Sequence, residues 1–147
     1  MGATWTRVSA RCTFRIDTHM SNSFENLRVY ALGVELVAMV YESTQPFPKD
    51  ELFGLTSQMR RSSNSIISNI AEGEGRLTNG EWRQFLGHAR GSLFELESHC
   101  IIALRLGFLS TDDHEKLRRQ IKRTAVALNN FIAFVTNTKT APASPTG

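Results

Sequence analysis

Four stretches in which apolar residues return every three or four positions, each fenced by helix breakers, constrain this chain more than anything else in it. The first is predicted from about Phe24 to Ser43 behind Ser23 as N-cap. It places Leu27, Ala31, Val34, Ala38 and Tyr41 on one face and Glu25, Arg28, Glu35 and Glu42 on another. Phe47-Pro48 breaks the pattern, Lys49 to Phe53 suits a single turn, and Gly54-Leu55-Thr56 restarts it with Thr56 as cap. The second helix then runs to about Glu72 with Met59, Ser63, Ile66, Ile70 and Gly73 in one register, and Gly73 and Gly75 end it.

Thr78-Asn79-Gly80-Glu81 is a capping box, in which the hydroxyl and the carboxylate each satisfy a backbone N–H left free at a helix start. It opens the longest helix, to Leu106, whose buried face is read as Trp82, Phe85, Ala89, Ser92, Leu93, Leu96, Cys100 and Ala103, with Gly107 as the stop. Ser110 with Asp113 makes a similar start for the fourth. There Leu117, Ile121, Ala125, Leu128, Ile132 and Val135 repeat by four and three over about five turns. Connections this short favour antiparallel neighbours, so the expected fold is all-α, an up-down four-helix bundle.

With 147 residues and 41% hydrophobic content, the chain suffices for one domain with one core. Residues 1–22 show no sustained apolar period and are read as a flexible leader, with Met20 as an alternative start. Residues 23–138 form the bundle, and residues 139–147, rich in Thr, Ala, Ser and Pro, read as a disordered tail. No apolar run approaches the roughly 18 residues of a membrane span, and the leader lacks the apolar stretch of a secretory signal, so the expected location is the cytoplasm with no membrane partner. Two cysteines, Cys12 and Cys100, make no disulfide framework, and Cys100 is expected as a buried free thiol.

The net charge of +3 conceals a polarity along the chain. Residues 116–139 carry six basic side chains and no acidic one, whereas residues 21–115 carry eight basic and thirteen acidic. Lys116, Arg118, Arg119, Lys122 and Arg123 crowd five of those positive charges near the start of the fourth helix. They suit either a solvated face neutralised by acidic neighbours or a patch that contacts phosphates.

The segment from Gln58 to Arg76 is rich in Ser and Asn, which are mediocre helix formers, so something other than propensity must justify them. Spacing puts Arg61, Ser65, Asn69 and Glu72 on one stripe, as a polar network between helices requires. Gly87 and Gly91 cost about 1–2 kcal/mol of helix propensity together, which close approach of a neighbouring helix or of another subunit would offset. No catalytic or metal-binding set is found. His88 and His99 lie about 16 Å apart along a helix, and Glu95 with His99 has no second Glu-x-x-His segment to complete a site. Gly73-Glu74-Gly75 terminates a helix and lacks the strand and the Lys of a phosphate loop. No cofactor is implied.

The run Leu55-Thr56-Ser57-Gln58-Met59-Arg60-Arg61, then Ser65, Asn69-Ile70-Ala71-Glu72-Gly73 and Arg76, is followed by Phe85-Leu86, Ala89, Gly91-Ser92-Leu93 and Glu95-Leu96-Glu97. Over residues 24 to 136 this order resembles the four-helix bundle proteins first noted as reading frames in intervening sequences of bacterial 23S ribosomal RNA. The resemblance implies an up-down bundle that assembles as a homo-oligomer, a cyclic pentamer. It also implies kinship with the accessory protein of diversity-generating retroelements, which binds a reverse transcriptase and nucleic acid. The family motif falls on Arg60, Arg61, Ser65, Asn69, Glu72, Gly73, Arg76, Gly91 and Ser92, as folding or subunit-contact positions. Ile67-Ser68 stands where the family commonly has a Pro-containing dipeptide. The near-neutral domain also departs from a markedly basic accessory protein, so that activity is not carried over. The expected function is a non-enzymatic oligomeric bundle that binds RNA, DNA or a nucleic-acid enzyme through its basic fourth helix, with a protein–protein scaffold as the alternative.

Overall fold

The computed structural model describes residues 24–138, with side chains from Arg28 onward. The expected Ser23 cap, the Leu27 side chain, the leader, the tail and Cys12 lie outside the described residues. Four helices follow one another: α1 (Phe24–Thr44), α2 (Leu55–Glu74), α3 (Asn79–Arg105) and α4 (Thr111–Asn137), with a single 3-10 turn at Lys49–Glu51 between the first two. Each helix packs on two neighbours in the cyclic order α1, α2, α3, α4, and α2 with α3 is the most extensive pair. Sequential helices joined by short connections in this order make an antiparallel up-down bundle.

The core runs along the shared axis. Leu36, Met59, Ile66, Ile70, Leu86, Leu96, Leu117, Leu128 and Phe131 are fully buried within it. At roughly 1.5–3 kcal/mol for each large side chain taken out of water, these residues supply the main stabilisation, offset by the entropy of ordering the chain.

The expected stripes of α2 and α4 hold. In α2, Met59, Ser63, Ile66, Ile70 and Gly73 are buried. In α4, Leu117, Ile121, Leu128 and Val135 are buried and Ala125 and Ile132 half-buried, while Gln120, Thr124, Ala127 and Phe131 widen the buried face. In α3, Ala89, Leu93, Leu96, Cys100 and Ala103 are buried as expected, Leu86 joins them, and Trp82, Phe85 and Ser92 are half-buried.

The face expected for α1 is overturned. Ala31, Val34, Ala38 and Tyr41 are exposed, and the helix buries Val29, Leu32, Leu36 and Val40 instead. Both faces of this helix are apolar at helical spacing. The face with more carbon turns inward because burial free energy scales with apolar area.

Helix ends also carry corrections. Gly54, not Thr56, precedes the first residue of α2, and no side chain caps from that position. The carboxylate of Glu51 reaches forward and accepts the Leu55 N–H at 2.9 Å, while Thr56 is buried inside the helix. Thr78 caps α3 as expected, accepting the Glu81 N–H at 3.2 Å. The Glu81 carboxylate accepts the Thr78 hydroxyl at 2.8 Å instead of closing on a backbone N–H. Ser110 accepts the Asp113 N–H at 3.1 Å, and Gly107 stops α3 with φ +76°, a conformation open to glycine at little cost.

Gly73 lies within α2 as its last buried residue, so it does not terminate the helix; Gly75 does. A Cβ on Gly73 would meet Cδ1 of Trp82 at 2.9 Å and Cβ of Phe85 at 3.0 Å. Its bare backbone is what lets the start of α3 fold down against the end of α2. Gly73→Ala adds a clash of about 1–3 kcal/mol against about 1 kcal/mol of gained helix propensity. The expected outcome is a melting temperature about 3–5 °C lower by circular dichroism, and an unchanged or raised value would show that Trp82 yields freely.

Candidate nucleic-acid interface

Lys116, Arg118, Arg119, Lys122 and Arg123 all reach the solvent side of α4. The register requires it, because Leu117, Gln120, Ile121 and Thr124 are turned into the bundle and leave only outward positions in the same two turns. The five charges occupy about 10 Å of helix. They are not equally available. Lys116 pairs with Asp113 at 3.2 Å and Arg118 with Glu115 at 3.6 Å. Arg123 donates to the Gln120 side-chain oxygen at 3.0 Å. Among the described residues Arg119 and Lys122 make neither an ion pair nor a hydrogen bond, and they sit at the centre of the face.

Gln120 is the residue that sequence reasoning missed. Buried among apolar neighbours, its amide nitrogen donates to the Leu32 carbonyl at 3.0 Å and to the Glu35 carboxylate at 3.1 Å. One side chain thus ties α4 to α1 and anchors Arg123. The signal lay in the register, where Gln120 stands three residues after Leu117 and one before Ile121.

Six of the nine family-motif residues make polar contacts, at three places. The Arg60 guanidinium lies 4.7 Å from the centre of the Tyr41 ring and donates to the Thr44 hydroxyl at 2.9 Å, and Asn64 donates to the Tyr41 hydroxyl at 3.0 Å. These contacts clamp α2 to the end of α1. Along the α2–α3 seam the hydroxyls of Ser65 and Ser92 meet at 2.9 Å, and Asn69 donates back to the Ser65 carbonyl and hydroxyl at 2.8 and 3.1 Å. At the α2–α3 turn Glu72 and Arg76 form an ion pair, and the Arg76 guanidinium lies 4.3 Å from the centre of the Phe85 ring.

The expected four-residue stripe is therefore only half joined. Ser65 and Asn69 enter the seam, Glu72 turns to Arg76, and Arg61 is exposed without a partner among the described residues. Gly87 and Gly91 face open space, with nothing within 4 Å of a Cβ placed on either, so internal close packing does not account for them. Ser62 and Ser63 are buried with their hydroxyls turned onto carbonyls of their own helix, which satisfies them at small volume.

No group of three or more His, Cys, Asp or Glu side chains among the described residues could hold a metal ion. Asp113 is held below the usual carboxylate range by the hydrogen bond from Lys116 and then by Ser110. Burial, followed by the nearby charge of Glu97, pushes the Cys100 thiol from an ordinary value of 9.0 up to about 12. A thiol held neutral in this way is a poor nucleophile. Among the described residues no helix is long and apolar enough to cross a membrane.

A sequence profile of the 23S rRNA-intervening sequence protein matches residues 25–130. Among solved structures the chain is similar to a protein of unknown function from the S23 ribosomal protein family of Bacteroides thetaiotaomicron. The two share 19% identity, the match covers 74% of this chain and 98% of that one, and the TM-score is 0.68. At that identity the likeness speaks for the fold. A comparison with curated proteins gives no match.

The raised Cys100 pKa has a sign that can be checked. The unfolded thiol ionises above about 9 and the folded one does not until about 12, so stability contributed by the neutral thiol is full below pH 9 and falls as pH rises through that window. In a Cys12→Ser background at pH 8, alkylation of Cys100 is expected to be at least ~100-fold slower folded than in denaturant. Similar rates, read by mass spectrometry, would show an accessible thiolate.

Proposed function

The chain belongs to the 23S rRNA-intervening sequence protein family, and on that premise we propose that it is a non-enzymatic, homo-oligomeric bundle that binds nucleic acid through the outward face of α4. The observation that carries this reading is the pair Arg119 and Lys122, two cations without partners among the described residues, flanked by Lys116, Arg118 and Arg123 on one helical face. Phosphates neutralised there would release counterions, which makes affinity fall steeply with salt. Helix-borne cations of this kind position a backbone and carry no base-reading geometry, so binding is expected to be insensitive to sequence. Assembly repeats the face on every subunit, and multivalent engagement raises the affinity of a patch that is weak alone. The family resemblance adds the expectation of a ring of five subunits, and the sequence reading that of a cytoplasmic location.

A second reading rests on a specific observation. Three of the five cations are already engaged, by Asp113, Glu115 and Gln120, as on a face whose charge serves solubility. In that case the bundle is a protein–protein scaffold.

A salt titration separates the two. Single-stranded RNA and duplex DNA are expected to bind at low salt. Replacing Arg119 and Lys122 by Gln is expected to weaken binding about tenfold or more and to reduce the slope of log K against log salt by about 1–2. Undetectable binding at low salt, or equal affinity after both replacements, would leave the scaffold reading.

A further inference from the structure

α3 carries a large aromatic ring that the bundle leaves open. Phe94 is 58% exposed, the Arg90 guanidinium lies 5.9 Å from its centre, and no other ring among the described residues contacts it. Gly91 and Gly87, three and seven residues earlier, stand on the same side of the helix, and nothing lies within 4 Å of a Cβ placed on either. A flat apolar surface is thus set beside bare backbone.

The ring borders a groove between α3 and α4. A hollow of about 40 Å³ is lined by Arg90, Phe94 and Asn129, a second of about 90 Å³ by Arg118, and Glu97 and Ile121 line both. On α4, Arg118, Lys122, Ala125 and Asn129 follow one another by four, three and four residues. Lys122 therefore stands on the same rim as the three that line the groove. On α3, Arg83 precedes Arg90 by two turns, and both are exposed without an ion pair among the described residues. The groove has an aromatic wall, an unpaired cation on either rim and a carboxylate between its hollows.

We propose that this groove holds a single-stranded nucleic acid, with one base stacked on Phe94 and the phosphates along the rims at Arg90 and Lys122. The proposal rests on nucleic-acid binding by α4 and specifies the form of nucleic acid and the path it takes. Glu97 sets the orientation. Its carboxylate repels phosphates from the middle of the groove, so the backbone keeps to the cationic rims and the bases turn inward. Packed helices lie about 8–10 Å apart, which leaves room for one strand. A duplex holds its base faces within its own stack, so it offers the groove phosphates alone and engages Arg119 and Lys122 from outside. Gly91 and Gly87 give the strand clearance beside the ring, where any larger residue would add a side chain. Stacking on one ring tolerates every base, because each has a flat π face.

The test titrates the whole chain at low salt, by fluorescence anisotropy, with one oligonucleotide as a single strand and as a duplex. The single strand is expected to bind more tightly. Phe94→Ala and Phe94→Leu are each expected to weaken single-strand binding about tenfold and to leave duplex binding within about twofold, while Phe94→Tyr, which keeps the ring, retains wild-type affinity. Both Ala and Leu are better helix formers than Phe, and circular dichroism reads folding. Phe134→Ala is the control, since Phe134 is 44% exposed but stacks on the Phe131 ring at 6.4 Å; it is expected to change neither affinity.

A single strand bound equally by wild type and Phe94→Leu, or equal losses on both forms, would overturn the proposal and leave the reading of α4 standing. Absence of binding to either form by the wild type would overturn both. Light scattering is expected to give Phe94→Ala the wild-type mass. A lower mass would show a second copy of the chain covering the groove, and would overturn the proposal as well.

Discussion

The close approach of α2 and α3 is the constraint on which the rest of the bundle depends. It needs a surface without bulk, and α2 provides one: Gly73 gives way to Trp82 and Phe85, and Ser65 meets Ser92 through a single pair of hydroxyls. Leu or Ile at these positions would stabilise an isolated helix better or bury more area, yet would force the helices apart. Small polar side chains with satisfied hydroxyls allow contact without an uncompensated polar group. Once this hairpin is set, α1 and α4 close the square against it, and the Trp82 ring reaches the Phe131 ring of α4 edge-on at 5.5 Å between centres. The residue types that looked weakest as helix formers are thus the ones that fix the geometry.

Most of the fold was legible because helical periodicity and caps are local. Thr78 and Ser110 act where their spacing to Glu81 and Asp113 put them, and Gly107 ends α3 as an isolated glycine after a long apolar pattern should. The errors share one cause, which is that periodicity specifies a face without saying what covers it. For α1 two faces satisfied the same spacing, and only the larger volume of Leu32, Leu36 and Val40 over Ala31 and Ala38 decides which turns inward. Gly73 was read as a terminator because its real reason, the Trp82 ring, comes from another helix. Glu51 could not be recognised as the donor-satisfying group of α2, since a carboxylate reaching over Gly54 depends on the path of the preceding turn.

The basic face of α4 shows the same division. Which residues face outward follows from the register of Leu117, Ile121 and Leu128, so the exposure of the five cations is legible in the sequence. How much of their charge is free does not follow. It depends on Asp113 and Glu115 one turn earlier and on Gln120, whose amide is held by a carbonyl and a carboxylate of α1. Gln120 is therefore a bolt between α1 and α4 that also holds Arg123. By fixing Arg123 at the α1 edge it leaves Arg119 and Lys122 as the two cations of the face without a partner among the described residues.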